Sequence, residues 1–102
     1  MAAATIKLVP MDQMINFYTS KTPEDTARKL LSEDAYFTLK TVDIPSKSGE
    51  DVAEELFDLS NNPGREDERQ EVYGNHRSIS VGDVITVDGV NYLCASIGWK
   101  VL

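Results

Sequence analysis

The chain has 102 residues, of which 17 are acidic and 10 are basic, and its formal net charge is -7. This length makes one domain with one core and excludes a second catalytic domain. A single Cys cannot form an internal disulfide, and no Cys/His cluster indicates a zinc site. We therefore expect a fold held by packing alone, with no metal and no cofactor.

The charge and the apolar pattern also restrict the partners. The negative balance opposes direct binding to nucleic-acid phosphates and to anionic membrane surfaces. No apolar run approaches the roughly 20 residues that span a bilayer, and the first residues lack the basic start and apolar stretch of a secretory signal. We expect an intracellular protein with a basic or uncharged protein partner and no membrane contact.

Two elements are predicted at the start of the chain. Polar and apolar side chains alternate over residues 5–9, which predicts a short half-buried strand that Pro10 ends. Over residues 11–18 the apolar side chains fall at helical spacing. The predicted inward stripe of this first helix is Met11, Met14, Ile15 and Tyr18.

A second helix and a strand follow. Thr22 precedes Pro23, Glu24 and Asp25, so a hydroxyl cap, a proline at the first helical position and acids in the first turn coincide. This helix is predicted to end near residues 32–34. Residues 36–44 are rich in aromatic and β-branched side chains on both alternating faces, which predicts a central strand covered on both sides.

The segment 50–71 holds nine of the 17 acids, and Arg65 and Arg69 are its only bases. After a loop over residues 45–49, Ser48 and Asp51 resemble a capping box that begins a helix running to about residue 60. A second short, charged helix is predicted over residues 65–73. Five acids occupy the exposed part of the first of these helices: Glu50, Asp51, Glu54, Glu55 and Asp58. The predicted buried stripe of the same helix is Val52, Ala53, Leu56, Phe57 and Leu59.

The charge density of this acidic helix permits two interpretations. Its acids recur about every 2.4 Å along the axis, against about 1.7 Å per charge along duplex DNA. The helix is then either a nucleic-acid mimic that occupies a basic groove of a host protein, or an ordinary solvated helix face.

The strongest short-range signal is Asp88-Gly89 between Val87 and Val90, which predicts a hairpin with a two-residue turn. The predicted register pairs Val87 with Val90, Ile85 with Tyr92 and Asp83 with Cys94, and on the other face Val84 with Leu93 and Thr86 with Asn91. Asp83 would then raise the pKa of the Cys94 thiol, which argues against a cysteine nucleophile. A last extended stretch after Gly98 is expected to join the sheet.

These elements together predict the fold class. We expect a single compact α+β domain over residues 1–102, with a mostly antiparallel sheet of four to five strands and three to four helices. Its C-terminal hairpin module covers about residues 56–102.

The known cofactor and catalytic motifs are missing, and we predict no catalytic residue. His76 is either a solvent-facing or capping residue or one that contacts a ligand or transfers a proton. Trp99 either closes the core or forms part of a partner-binding patch. The candidate binding residues are Glu50, Glu54, Glu55, Asp58, Arg65, Arg69, His76, Arg77, Ser78, Asp83 and Trp99.

Part of the sequence resembles a known module. Its motif residues are Asn61-Asn62-Pro63-Gly64-Arg65, Arg69, residues 73–85, Tyr92-Leu93-Cys94 and Gly98-Trp99. On these residues, positions 56–102 resemble the C-terminal module of small proteins carried by bacteriophages and integrative conjugative elements, including those labelled YodL-like. The resemblance implies an accessory protein in the cytoplasm of an infected or element-carrying bacterium. It implies no activity, cofactor or catalytic residue.

Three functional hypotheses follow. The first is a non-enzymatic protein that binds a host macromolecule through the acidic helix or through residues 65–83. The second is a small-ligand or nucleotide-processing enzyme with a site near His76, Arg77 and Asp83. The third is a structural or assembly component, for which symmetric association and an exposed sheet edge would be the sign.

Overall fold

A five-stranded antiparallel sheet organises the molecule. The computed structural model describes residues 2–19, 21–45 and 48–102. The strands are β1 (Ala2–Leu8), β2 (Phe37–Ile44), β3 (Val84–Val87), β4 (Val90–Cys94) and β5 (Trp99–Val101). Their order in the sheet is β2-β1-β3-β4-β5, and all pairs are antiparallel. The predicted α+β class is confirmed.

Four α-helices are present among the described residues. They are α1 (Met14–Thr19), α2 (Pro23–Ser32), α3 (Gly49–Asn61) and α4 (Glu66–Glu68). A 3-10 turn, Met11–Gln13, leads into α1, and a π-helical turn, Arg69–Tyr73, continues α4. Among the described residues, none of these helices has the length and apolar character of a membrane span.

The predicted starts of the second and third helices are confirmed. Pro23 is the first residue of α2, and the carbonyl of Thr22 accepts hydrogen bonds from the amides of Asp25 and Thr26. The predicted hydroxyl cap is wrong, because the Thr22 side chain makes no capping hydrogen bond to this helix. At α3, the Ser48 side chain accepts a hydrogen bond of 3.2 Å from the Asp51 amide, as the capping box requires. Ser46 and Lys47, in the predicted loop before α3, lie outside the described residues.

Each face of the sheet carries its own buried cluster. On one face, the α3 side chains Val52, Ala53, Leu56 and Leu59 pack with strand residues such as Ile6 and Ile85. On the other face, Phe17 of α1 and the α2 residues Ala27 and Leu30 pack with Val84 and Leu93. The predicted stripe of α3 is buried as expected, apart from the half-buried Phe57.

The stripe predicted for the first helix is wrong. Met11, Ile15 and Tyr18 are 80%, 61% and 60% exposed, and Phe17 is buried instead. Phe17 offers the largest apolar side chain of this segment, so turning it inward removes the most apolar surface from water. Met14, the fourth residue of the predicted stripe, is half-buried.

Strand β2 is an edge strand, where we predicted a central one. It pairs only with β1, and Leu39 is skipped where the register shifts between Ile6 and Lys7. Phe37, expected to be covered, is 56% exposed. Ile44 is buried in the cluster with α3, and Leu39 and Val42 are partly buried against that cluster. The apolar side chains of residues 36–44 therefore indicate burial, but they do not indicate the position of the strand in the sheet.

The predicted hairpin is confirmed with four of its five predicted pairs. Asp83 lies before β3, where its carbonyl accepts from the Cys94 amide while the Cys94 carbonyl accepts from the Gly82 amide. Val87 pairs with Val90, Ile85 with Tyr92, Thr86 with Asn91 and Val84 with Leu93. Asp88 and Gly89 both have positive φ, 51° and 80°, which is the combination of a type I′ turn. Strand β5 then joins the sheet through Cys94 and Trp99, so the end of the chain is tied to β4.

Candidate functional site

The exposed carboxylates of α3, α4 and the π-helical turn form one surface, which we call the acidic face. Its members are Glu50, Asp51, Glu54, Glu55, Asp58, Glu66, Asp67, Glu68 and Glu71, all exposed except the half-buried Glu55. Arg65 joins the two acidic helices: its guanidinium donates to Asp58 at 2.8 Å, to Glu68 at 2.8 Å and to Glu55. The hydrogen bond from Arg65 to Glu68 lowers the pKa of that carboxyl.

The acidic face accounts for the charge of the whole molecule. Nine acids against two arginines leave residues 50–71 at -7, which equals the formal charge of the chain. The eight acids and eight bases elsewhere therefore cancel. The molecule is thus polarised, because α3, Arg65, α4 and the π-helical turn together carry a charge equal to that of the whole chain.

Arg69, the second arginine of this segment, is turned inward. It donates to the carbonyls of Ser60 at 3.1 Å and Gly74 at 2.9 Å, and to the carbonyl of His76. Its guanidinium also lies 5.2 Å from the ring centroid of Tyr73. Arg69 therefore holds the end of the π-helical turn against α3, and its guanidinium is hydrogen-bonded to backbone carbonyls.

Arg77 and Asp83 form a two-point ion pair beneath the surface. Nη1 of Arg77 donates to Oδ2 of Asp83 and Nη2 donates to Oδ1, both at 2.7 Å. Asp83 has no exposed surface, while the Arg77 side chain is 28% exposed. Such parallel hydrogen bonds are the strongest geometry between a guanidinium and a carboxylate.

Backbone groups complete this pair. Asp83 accepts from the amides of Val9 at 2.7 Å and Ser80 at 2.8 Å, and Arg77 donates to the Val9 carbonyl at 2.8 Å. Ser78 donates to the Ser60 carbonyl at 2.6 Å. The predicted binding residues Arg77, Ser78 and Asp83 are therefore brought together as internal connections between β1, α3 and the entry to β3.

His76 lies apart from this pair. It is exposed, and its ring is 6.4 Å from that of Phe37, centroid to centroid. A substrate would have to reach Asp83, which is sealed by Arg77 and by two amides. Of the three side chains in the enzyme hypothesis, the structure pairs Arg77 with Asp83 and leaves His76 exposed outside that pair.

Cys94 has the environment expected for an inert thiol. It is 4% exposed, and its backbone amide donates to the Asp83 carbonyl at 2.9 Å. Burial, followed by the charges of Asp83 and Glu54, raises the pKa of Cys94 to about 12. A nucleophilic cysteine requires a shift in the other direction.

Trp99 is half-buried and lies beside Glu54 of the acidic face. Its indole N–H donates to a carboxylate oxygen of Glu54, and its ring meets that of Phe57 edge to face, with centroids 6.3 Å apart and planes at 88°. Both predicted binding residues, Glu54 and Trp99, therefore belong to one group. Phe57 completes it, although the sequence indicated only a core residue there.

Among the described residues, no three His, Cys, Asp or Glu side chains are grouped as metal ligands would be. No protein-family model matches the chain, and no curated protein or solved structure is significantly similar to it. The resemblance of residues 56–102 to the bacteriophage and conjugative-element module stays a prediction.

Proposed function

We propose that this protein is a non-enzymatic binding protein that presents its acidic face to a basic surface of a partner macromolecule. The observation that carries the proposal is the charge of -7 on residues 50–71, which equals that of the whole chain and whose two acidic helices Arg65 joins. A surface of this kind attracts positively charged partners and accelerates their encounter.

The positions of the arginines support the same assignment. Arg65, Arg69 and Arg77 are each occupied by partners within the chain. A phosphate backbone would need such cations on the surface. We therefore take the partner to be a protein with a basic groove. The spacing of the carboxylates along α3 is of the same order as the spacing of the phosphate charges that such a groove contacts on DNA.

The biological setting of the proposal comes from the sequence. The resemblance of residues 56–102 favours an accessory protein of a bacteriophage or mobile element, acting in the cytoplasm of its bacterial host. The partner is then a host protein that handles nucleic acid.

A pull-down from bacterial lysate with matched charge reversals tests the proposal. The test variant is E50K/D67K/E71K, which reverses exposed acids that hold neither Arg65 nor Trp99. The control variant D12K/E24K/E33K makes the same change in net charge away from the acidic face. It includes Glu24, a first-turn acid of α2, to match Glu50 in the first turn of α3.

We expect the native protein and the control to retain the same saturable partner, and the test variant to lose it. Raising the ionic strength and adding duplex DNA should each release the partner, since both compete for its basic groove. The proposal fails if no saturable partner is retained, or if the test variant retains it as well as the control does.

A further inference from the structure

A small cleft lies between α3 and the turn that joins β4 to β5, at one end of the acidic face. Its volume is 170 Å³, and Glu54, Phe57, Ser96, Gly98 and Trp99 are among the residues that line it. We call it the aromatic cleft. The turn is closed by a hydrogen bond of 3.0 Å from the Ala95 amide to the Gly98 carbonyl.

Two aromatic rings and one carboxylate meet in this cleft. The planes of Phe57 and Trp99 stand at 88°, so the cleft has two aromatic walls at a right angle. The Glu54 carboxylate is fixed beside them because the Trp99 indole N–H donates to one of its oxygens. A carboxylate has about four acceptor positions and this bond uses one, so Glu54 keeps acceptor capacity for a ligand.

This combination of groups has a defined chemical preference. Aromatic rings attract a cation to their faces, with tryptophan the strongest of them, and a carboxylate adds a direct charge partner. The field of Glu54 extends into the cleft, since its charge contributes to the raised pKa of Cys94, another lining residue. The carboxylate repels an anionic ligand and offers a neutral one only a hydrogen bond, so a cation gains most from it.

We propose that the aromatic cleft binds the side chain of one lysine or arginine of the basic partner, with the aliphatic part against Phe57 and Trp99 and the charged end at Glu54. The inference deepens the proposed function and rests on it. The volume of 170 Å³ lies below the range of about 300–1,000 Å³ for pockets that enclose whole small molecules, so the cleft suits a single side chain. Its continuity with the acidic face places the cation where the rest of a basic surface would already be docked.

Fluorescence of Trp99 reports on the cleft directly, because it is the only tryptophan of the chain. The probe is the capped tripeptide Gly-Lys-Gly, and its comparison is the tripeptide with norleucine in place of lysine, which keeps the aliphatic length and removes the charge. We expect a saturable fluorescence change with the lysine peptide in the millimolar range. The norleucine peptide should bind about tenfold more weakly, the loss that removal of a cation–π contact and a charge partner entails.

Two variants and one control locate the effect. E54Q keeps an acceptor for the indole N–H and removes the charge, and F57L removes one aromatic wall while leaving Trp99 as the reporter. Both should weaken binding of the lysine peptide by about tenfold. E33Q, at the end of α2 and outside the acidic face, loses the same charge away from the cleft and should bind like the native protein. Thermal unfolding of each variant confirms that it is folded.

Three results would overturn the inference: equal binding of the lysine and norleucine peptides, equal weakening by E54Q and E33Q, or tighter binding of free choline than of the lysine peptide. The last result would assign the cleft to a small quaternary cation. The two proposals can fail separately. If the native protein retains no lysate partner but still binds the lysine peptide, only the proposed function is contradicted. If it retains a partner but does not bind the peptide, only the inference about the aromatic cleft is contradicted.

Discussion

The pair Arg77 and Asp83 shows why charged residues in a binding-site list can be structural. Removing a carboxylate from water costs several kcal/mol, and that cost is offset here by a two-point ion pair and two backbone amides. The same pair holds both polar groups of Val9, 68 residues away from Arg77 in the chain. Its role is to connect the end of β1 to the segment that enters β3.

Replacement of Arg77 by methionine should therefore be strongly destabilising. It leaves the carboxylate of Asp83 buried without its cation, and we expect the free energy of unfolding to fall by about 3–5 kcal/mol. Urea unfolding measures the change. R28M, which breaks an exposed pair with Asp25, should cost less than about 1 kcal/mol.

The double variant R77M/D83L provides an internal check on this argument. Because it removes both charges, it should recover part of the stability that R77M loses. An R77M protein within about 1 kcal/mol of the native one would contradict the assignment of a buried pair.

Cys94 predicts a specific loss of stability in alkali. Its folded pKa of about 12 is raised from an ordinary value of 9.0, so the neutral thiol is favoured by folding. The stabilisation is complete below pH 9 and is lost as pH rises from 9 towards 12, by at most about 1.4 kcal/mol per pH unit for one proton. Burial also raises the pKa of Tyr73, to about 12, and that of Tyr36, so these phenols add to the loss at higher pH.

The measurement is urea unfolding at a series of pH values, with C94A as the comparison. C94A should show a shallower decline just above pH 9, before the tyrosines of the unfolded chain ionise. In the native protein at about pH 8, a thiol reagent should modify Cys94 only after unfolding. Rapid modification of the folded protein would contradict this account and reopen the question of a cysteine nucleophile.

At the scale of elements, local signals predicted what local physics decides. The capping box at Ser48, the start of α2 at Pro23 and the Asp88-Gly89 hairpin each depend on residues within a few positions of one another. The edge position of β2 and the inward turn of Phe17 depend on contacts with distant parts of the chain. No local pattern contained them.

The candidate sites divide in the same way. The acidic face follows from the composition of residues 50–71, and Glu54 and Trp99 were both expected to bind. Their contact spans 45 residues and could not be predicted. Phe57 lies three residues after Glu54, hence on the same side of α3, which is the one signal that could have associated it with the site.

Gly82 fixes the packing of α1 on the sheet. Its φ is 98°, and a Cβ there would lie 2.8 Å from the Phe17 ring, whereas Gly98 has a φ of 70° with open space around it. G98A should lower the free energy of unfolding by about 1–2 kcal/mol, because alanine is strained in the left-handed conformation. G82A carries the same strain plus displacement of Phe17, and should cost about 1–3 kcal/mol more.

Urea unfolding of both glycine variants measures these costs, and the difference between them isolates the contact with Phe17. F17A removes the ring that a Cβ at position 82 would meet. The cost of G82A in the F17A background, which is the difference between F17A and G82A/F17A, should therefore approach the cost of G98A. Equal stabilities of G82A and G98A would show that α1 does not rest on this contact.

For the whole molecule, the polarised charge makes stability depend on salt. Repulsion within the acidic face is opposed by Arg65, which contacts carboxylates of both helices. R65Q leaves nine acids with one arginine, so we expect a fall in the midpoint of urea unfolding that is largest at low ionic strength. Comparison at about 0.01 M and 1 M salt, where the screening length falls from about 30 Å to 3 Å, measures it.

R28Q is the matched control, since it removes one arginine from an exposed pair on α2. Its change in midpoint should be small and should differ little between the two salt concentrations. If R65Q behaved in the same way, the acidic face would not act as one electrostatic unit, and the surface on which the proposed function rests would lose its coherence.

The place of β1 in the sheet has a consequence for biosynthesis. β1 precedes β2 and β3 in the chain, yet it lies between them, and its buried Ile6 pairs with Lys40 on one side and Ile85 on the other. While the ribosome is still translating the codons for residues 84–94, this strand has a neighbour on one edge only, and the nascent chain exposes apolar side chains that the finished sheet conceals. The sheet is therefore completed only after residues 84–94 have been made and can pair with β1.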